Sequence, residues 1–273
     1  MLRLASDTGW WLITHSDHAR LAGAFAEHWG NGQFAAPAPR RQVLLGISAH
    51  DDGWAVRDAM PQITKSGLPS AFSIELVGKY SAFEEIDLAD YLAVREHAVE
   101  VVAAEDPYAA LLVSLHTYNL LTERADRSTI SPLQLPQLDE FLDRQRSLQQ
   151  HLHNSIAADN TLTPYEIAWP RIQQHFRLLQ ATDNLSLLSC VDYRHPANLL
   201  HPLPLTNGSQ QEITVRSVGE RHFQLTPYPF HQPELQFLLP ARHVQSKIFS
   251  SAEELQAQFH AAPVTPLTVR VCS

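Results

Sequence analysis

The chain has 273 residues, of which 44% are hydrophobic and 18% are charged, and its net charge is −9 with histidine counted as neutral. A chain of this length and apolar content can bury a large core. Its acidic balance argues against a nucleic-acid or anionic-membrane surface, because binding to a phosphate backbone requires a basic patch.

Cysteine content and segment hydropathy limit the class of protein further. Two cysteines are too few for a disulfide scaffold or a zinc ribbon. No signal-peptide apolar region follows Met1, and no stretch approaches the ~18 consecutive apolar residues of a membrane helix. We therefore expect a cytoplasmic protein with no membrane partner. Histidine, at 15 residues, is the one compositional indication of metal chemistry.

Helical periodicity begins after a short apolar run at residues 10–14. Thr14 and Ser16 are good N-caps for a first helix. Its apolar face has the spacing i, i+3, i+4, i+7, i+11 and consists of His18, Leu21, Ala22, Phe25 and Trp29. A second helix is predicted over about 41–52, where His50 and Asp51 continue the apolar face. An imidazole and a carboxylate in that position need a partner in the core.

The middle of the chain alternates an irregular segment with further helices. Residues 53–87 are interrupted by prolines and glycines, and a connection of this length often covers a site. Helices are predicted over about 88–104, 108–121 and 136–154, and the first two carry His97 and His116 on their apolar faces. Thr163-Pro164-Tyr165-Glu166 is a capping box, and the apolar seam of the helix predicted after it includes Asp183.

The composition changes after Val191. Pro196, Pro202 and Pro204 exclude a continued helix, and strands are predicted over 212–218, 221–225, 235–239 and 267–271. The predicted fold class is therefore mainly α. A helical domain spans residues 1–195, and a small antiparallel α+β appendage spans residues 196–273 and packs on the helical body.

Polar residues capable of binding metal recur on the apolar faces of five predicted helices. The set consists of His18, His50 with Asp51, His97, His116 and Asp183. A lone histidine in such a stripe is more often a satisfied core residue than a ligand. A buried carboxylate, however, must be paired, hydrogen-bonded or bound to metal. The recurrence favours a common metal centre over five separate coincidences.

The order of these residues resembles the HD superfamily of metal-dependent phosphohydrolases. Four stretches resemble, more narrowly, an uncharacterised and mainly bacterial family within it, over nearly the whole chain: Asp17-His18-Ala19-Arg20, His50-Asp51-Asp52-Gly53-Trp54, Ser114-Leu115-His116 and Asp183-Asn184-Leu185-Ser186-Leu187. The resemblance implies an HD-like helical bundle with a first metal site of His18, His50, Asp51 and Asp183. In two-metal members of that superfamily the Asp of the dipeptide bridges, which here is Asp51, and His97 and His116 would hold the second ion. If His97 is only a surface residue, the resemblance implies a site with one ion.

Mixed histidine and aspartate ligands suit one or two divalent transition metal ions, namely Fe, Mn, Zn, Ni or Co. A bound ion activates water and neutralises charge on a phosphoryl oxygen, and Asp51 would orient that nucleophile. A phosphorylated small-molecule substrate also needs cationic positioning. Arg20 and Lys65 are the candidates for this role, although each also fits an ordinary solvated surface charge.

Three functions remain open at this point. The leading one is a metal-dependent phosphohydrolase acting on a small phosphate ester or nucleotide. The second is an HD-like di-iron oxygenase, with which a ligand set of four histidines and two aspartates is compatible. The third is a non-catalytic binding or regulatory module whose metal site is structural or vestigial. The sequence leaves the oligomeric state open.

Overall fold

Strands from both ends of the chain form one sheet in the computed structural model, which describes residues 1–77, 86–159 and 161–273. Within those residues the sheet has seven strands in the order β1-β2-β8-β9-β7-β6-β3. Their bounds are Leu2–Ala5 (β1), Trp10–Ile13 (β2), Ala197–Asn198 (β3), Thr214–Gly219 (β6), His222–Thr226 (β7), Glu234–Val244 (β8) and Val264–Cys272 (β9). Leu203–Pro204 (β4) and Gln210–Gln211 (β5) form a separate pair.

The sheet is mixed rather than antiparallel. β7 and β9 run parallel, whereas β1 with β2, β2 with β8, β8 with β9, β6 with β7 and β3 with β6 are antiparallel. The prediction of a mainly α, HD-like helical bundle with a small antiparallel tail is therefore wrong. The first two strands are only four residues long, which is too short for a clear strand pattern. The pairing of β2 with β8, in which Trp10 lies opposite Val244, joins distant parts of the chain and cannot be read from local sequence.

The helices lie mainly between β2 and β3 in the chain. Their bounds are His15–His28 (α1), Arg40–Ser48 (α2), Ala55–Asp58 (α3), Leu88–Ala103 (α4), Pro107–Asn119 (α5), Leu135–Asp159 (α6), Trp169–Cys190 (α7) and Ala252–Ala261 (α8). None of the described helices is both long enough and apolar enough to cross a lipid bilayer. The irregular stretch predicted over 53–87 includes residues 78–85, which lie outside the described residues.

Helix α5 lies at the centre of the helical layer. It contacts α2, α4, α6 and α7, and its residues 108–114 are buried on every side. The sequence of α5 is apolar almost throughout and has alanine where other elements approach closely. It therefore has no polar face to turn to solvent, as is expected of a helix that is buried all round. Its last turn carries His116, whose side chain is 3% exposed.

Helix α1 joins the helical layer to the sheet. It contacts α2 and α7 on one side and β8 on the other. Phe25 of α1 packs edge-to-face on Phe237 of β8, with ring centroids 4.9 Å apart, and both belong to one apolar cluster. The division of the chain at residue 195 remains a prediction. What the packing establishes is that α1 is held from both layers, which fixes the direction of His18.

Candidate metal centre

His50 and Asp51 lie in a turn and not on a helix. Helix α2 ends at Ser48, and Ala49 leaves helical geometry with φ −110° and ψ 4°. A short 3-10 turn, Asp52–Trp54, follows the dipeptide. The prediction that a helix continues to residue 52 is therefore wrong at its end, and the turn directs both side chains inward.

Gly53 holds this turn directly against helix α4. A Cβ atom at residue 53 would lie 2.3 Å from the carbonyl oxygen of Val94 and 2.7 Å from the amide nitrogen of Ala98. Any side chain would therefore push the turn and α4 apart. Glycine at this position is what lets α4 bring its own polar residue to Asp51.

Five of the six predicted ligands meet at one place, and all five are buried. The Nε2 atom of His18 lies 3.5 Å from Oδ2 of Asp51 and 3.3 Å from Oδ1 of Asp183. The Nε2 atom of His50 lies 3.8 Å and 3.4 Å from the same two oxygens. His116 adds its Nε2 atom 3.9 Å from Oδ2 of Asp183. Helix α1, the turn after α2, α5 and α7 thus converge.

Hydrogen bonds behind the cluster fix which nitrogen of each ring faces inward. Ser186 donates its hydroxyl hydrogen to the carbonyl oxygen of His18 at 2.7 Å, so it accepts from Nδ1–H of the same histidine at 2.9 Å. His50 donates Nδ1–H to the carbonyl oxygen of Ile47 at 2.7 Å. Both Nε2 atoms therefore face the carboxylates, and on loss of any Nε2 proton each would offer a lone pair to a metal ion.

The donor set and its spacing fit a transition metal ion. Ligand atoms about 2.1 Å from one ion lie roughly 3.0–3.4 Å apart in octahedral and tetrahedral arrangements, which is close to the 3.3–3.8 Å found around His18 and His50. The Nε2 atom of His50 is fully buried, and no group among the described residues meets it in hydrogen-bond geometry, although Oδ1 of Asp183 lies 3.4 Å away. A buried polar atom without a partner is costly, and an ion at this position would provide one.

The acidic and basic groups of the cluster shift one another's pKa values strongly. Burial alone would raise the pKa of Asp51, but Arg95 and then His50 outweigh burial and hold this pKa well below its usual range. Burial also opposes the charge on His50, yet Asp51 and Asp183 raise its pKa to about 9. Burial lowers the pKa of His116 to about 3 and keeps that ring neutral. The cluster therefore contains two carboxylates ready to bind a cation.

Arg95 is the residue that the sequence analysis missed. Its Nη1 donates to Oδ1 of Asp51 at 2.6 Å, and its Nε donates to the hydroxyl of Tyr91 at 3.1 Å. Its guanidinium lies over the rings of Trp54 and Tyr91 at 5.4 Å and 5.2 Å from their centroids. The buried stripe of α4 runs through Tyr91, Arg95 and Ala98, so the predicted apolar face was displaced around the helix.

His97, Arg20 and Lys65 lie outside the cluster. The His97 side chain is 55% exposed, with Glu100 as its ion partner at 3.9 Å. Arg20 is 61% exposed and lies 4.0 Å from Asp17 and 3.9 Å from Asp52. Lys65 is exposed at a loop. Of the three, only His97 was predicted to bind metal, and it lies on the exposed side of α4.

A cavity of about 520 Å³ opens onto the cluster. Its walls are mainly apolar, with Phe72, Leu187 and Tyr193 among them, while His18, Asp51, His116 and Asp183 line one part. The cavity lies within the size range of small-molecule sites, which are apolar with a few convergent polar groups. Trp54 and Phe72, from the irregular segment, both line it.

A second polar pair lies beside the cluster. The Nδ1 atom of His15 lies 3.0 Å from Oδ1 of Asp58, and its ring stacks on Trp54 at 4.4 Å. Burial would raise the pKa of Asp58, but His15 and the adjacent terminal ammonium lower it strongly. Both residues line the cavity. Asp58 had no signal in the periodicity, because it lies in the four-residue helix α3.

Comparison with known proteins identifies a family without an assigned function. A family model described as "Protein of unknown function (DUF3891)" matches residues 1–246. No curated protein matches the chain. No solved structure matches it either.

Proposed function

We propose that this chain, which belongs to the DUF3891 family of proteins of unknown function, is a metal-dependent hydrolase of a small phosphate ester or nucleotide. The observation that carries the proposal is the convergence of three histidines and two aspartates beside a cavity of small-molecule size. The order of these residues along the chain, which resembles that of HD-superfamily phosphohydrolases, supports phosphate esters as the substrate class. We include in this proposal that the chain shares ancestry with the HD-superfamily phosphohydrolases.

The roles of the residues follow from their contacts. His18, His50, Asp51 and Asp183 would hold a divalent Fe, Mn, Zn, Ni or Co ion, with His116 beside Asp183. When bound, such an ion lowers the pKa of water and neutralises charge on a phosphoryl oxygen. Ser186 and the carbonyl of Ile47 orient the two imidazoles. The mainly apolar walls would bind the apolar part of the substrate.

Metal analysis with matched variants tests the proposal directly. We expect stoichiometric metal in the purified protein, strongly reduced metal in Asp51→Asn and Asp183→Asn, and unchanged metal in His97→Asn. His97→Asn is a suitable control because it removes an imidazole that lies outside the cluster. Substoichiometric metal that is the same in all four proteins would overturn the site.

A panel of phosphate substrates tests the reaction. The metal-loaded protein should hydrolyse an aryl phosphate or a nucleotide, and Asp183→Asn should not. Release of phosphate that is independent of the added ion would contradict a metal-dependent mechanism. Metal binding without turnover of any ester would instead favour the non-catalytic module, and oxygen consumption by an iron-loaded protein would favour the oxygenase.

A further inference from the structure

We propose that Arg95 takes the place of a second metal ion, so that the centre holds one ion and the guanidinium binds the anionic group of the substrate beside it. The identity of that anion as a phosphoryl group rests on the proposed function. The claim that the centre holds one ion is independent of the proposed function.

The two oxygens of Asp51 have different partners. Oδ2 faces the Nε2 atoms of His18 and His50 at 3.5 Å and 3.8 Å, whereas Oδ1 accepts a hydrogen bond from Arg95 at 2.6 Å. Ions of two-metal sites lie about 3.5–4 Å apart and share bridging ligands. A second ion bound through Oδ1 would occupy the position of the guanidinium, and two cations exclude each other there.

A second ion would also lack ligands of its own. The described residues contain two groups of three possible ligands, and both groups include His50. His97, which the sequence analysis assigned to a second ion, points to solvent near Glu100. The described residues thus offer one centre with overlapping ligands rather than two adjacent ones.

Arg95 is held as a rigid cation at the cavity wall. It is 7% exposed, its Nε is bound to the hydroxyl of Tyr91, and the rings of Trp54 and Tyr91 flank its guanidinium. Arginine stays charged at any working pH, and its planar set of donors matches phosphate oxygens. Arg57 and Arg124 also line the cavity, but among the described contacts Arg95 is the arginine that binds a predicted metal ligand.

Stoichiometry tests the first half of the proposal without any variant. Protein freed of metal with a chelator is titrated with Mn²⁺, with free Mn²⁺ followed by electron paramagnetic resonance and bound metal by mass spectrometry. We expect saturation at one equivalent and the spectrum of an isolated ion. Two equivalents, or the signature of a spin-coupled pair, would overturn the proposal.

Substitution of Arg95 tests the second half. Arg95→Met keeps the length and the packing of the stem but removes the charge, and Arg95→Lys restores a charge. In calorimetric titrations of the Mn²⁺-loaded protein with inorganic phosphate, we expect the dissociation constant to rise at least tenfold in Arg95→Met and less in Arg95→Lys. Mn²⁺ itself should bind Arg95→Met at least as tightly as the wild type, because a repelling cation is gone.

The matched control is Arg144→Met. Arg144 also lies over an aromatic ring, that of Phe141, and pairs with a carboxylate, but on the surface of α6. It should leave both affinities unchanged. If Arg95 only braced Asp51, Arg95→Met would weaken Mn²⁺ binding and leave phosphate binding unchanged, and that result would reject the proposal. One ion and Arg95-dependent phosphate binding without ester hydrolysis would sustain the inference and reject the proposed function.

Discussion

Two serines on helix α7 make similar local contacts with different consequences. Ser186 accepts Nδ1–H of His18 and donates to its carbonyl oxygen, whereas Ser189, three residues later, donates to the carbonyl oxygen of Leu185 within the helix. Only the first contact reaches the cluster. The orientation of His18 is therefore set from a different helix than the one that carries it.

We predict that Ser186→Ala weakens metal binding about tenfold, because the ring of His18 loses the contact that orients it, and such losses lower affinity by about 10–100-fold. Ser189→Ala should leave metal affinity unchanged. Competition with a chromophoric chelator measures both. Equal affinities in the two variants would show that Ser186 contributes nothing to the orientation of His18.

His175 provides a pH dependence away from the metal ligands. Its Nδ1 lies 2.7 Å from the hydroxyl of Tyr108, and burial lowers its pKa to about 3 from 6.5. Because the unfolded chain takes up the proton first, this histidine contributes stability that is complete above about pH 6.5 and is lost as pH falls towards 3. The free energy of unfolding should fall by up to about 1.4 kcal/mol per pH unit from this group.

Urea unfolding in the presence of chelator, between pH 7 and pH 4, measures this slope. His175→Asn keeps a donor near the hydroxyl of Tyr108 and removes the titration. It should therefore lose stability less steeply on acidification than the wild type. Parallel curves would mean that the buried histidine does not couple protonation to unfolding.

At this scale the apolar spacing predicts the inward-facing polar residue on three regular helices, α1, α5 and α7, but not on α4. His18, His116 and Asp183 lie on the faces that apolar spacing predicted. Arg95 gives no such signal because a charged residue does not mark an apolar stripe, and the face predicted instead, with Val94, His97, Ala98 and Val101, is displaced from the buried one. A count through Tyr91, Leu92, Arg95, Ala98, Val99 and Val102 gives the observed face, with arginine as its one charged member.

At the scale of elements, the approach of α4 to the turn after α2 depends on Gly53. We predict that Gly53→Ala destabilises the protein by about 2 kcal/mol or more, since a methyl group would overlap the backbone of Val94 and Ala98. The matched control is Gly32→Ala, where a Cβ atom meets nothing within 4 Å. Thermal unfolding of both variants checks the difference.

The same substitution should separate Arg95 from Asp51, because the turn and α4 carry one partner each. Phosphate binding to the Mn²⁺-loaded Gly53→Ala protein is therefore expected to weaken along with stability. If Gly53→Ala folded with wild-type stability, the turn and α4 would have moved apart without the loss of other contacts, and the prediction would be wrong.

Capping signals predicted element starts unevenly. Thr14 caps α1 and accepts from the amide of Asp17, and Asp106 caps α5 with Pro107 at its first turn, as the local pattern indicates. Thr163 and Glu166 make both capping-box hydrogen bonds, yet α7 begins at Trp169. The capping box therefore closes a turn, and the helix begins only at Trp169, followed by Pro170. Capping chemistry alone does not determine which of the two positions starts the helix.

At the scale of the whole molecule, the proposed ligands come from elements that are far apart in the chain. His18 lies on α1, His116 on α5 and Asp183 on α7. Only the folded state brings these residues together, so an ion that binds them would stabilise that state by mass action. At 100 times the dissociation constant the gain is about 2.7 kcal/mol.

We predict that chelation lowers the melting temperature by roughly 5 °C for a chain of this size, measured by calorimetry with and without excess metal. Asp183→Asn should show no such response, since it removes the carboxylate shared by three histidines. A melting temperature that is indifferent to metal in the wild type would contradict binding at this cluster.

The sheet marks the limit of prediction at this scale. The strands at 214–219, 222–226, 234–244 and 264–272 overlap those predicted, because alternation and a hairpin turn are local. Their joining with β1 and β2 is a pairing of residues at opposite ends of the sequence, such as Trp10 with Val244 and Trp11 with His243. Periodicity carries no information about such partners, and a helical bundle was therefore predicted instead.

The pairing of β2 with β8 has a consequence for the order in which the protein is made. Trp10 lies opposite Val244, and ribosomes add about 5–20 residues per second, so the first hairpin waits roughly ten to fifty seconds for its partner strand. During that time α1 has no sheet behind it. A nascent chain that stops short of β8 can already pack α1 on α2 and α7, but the face of α1 that carries Phe25 stays uncovered until Phe237 of β8 has been made.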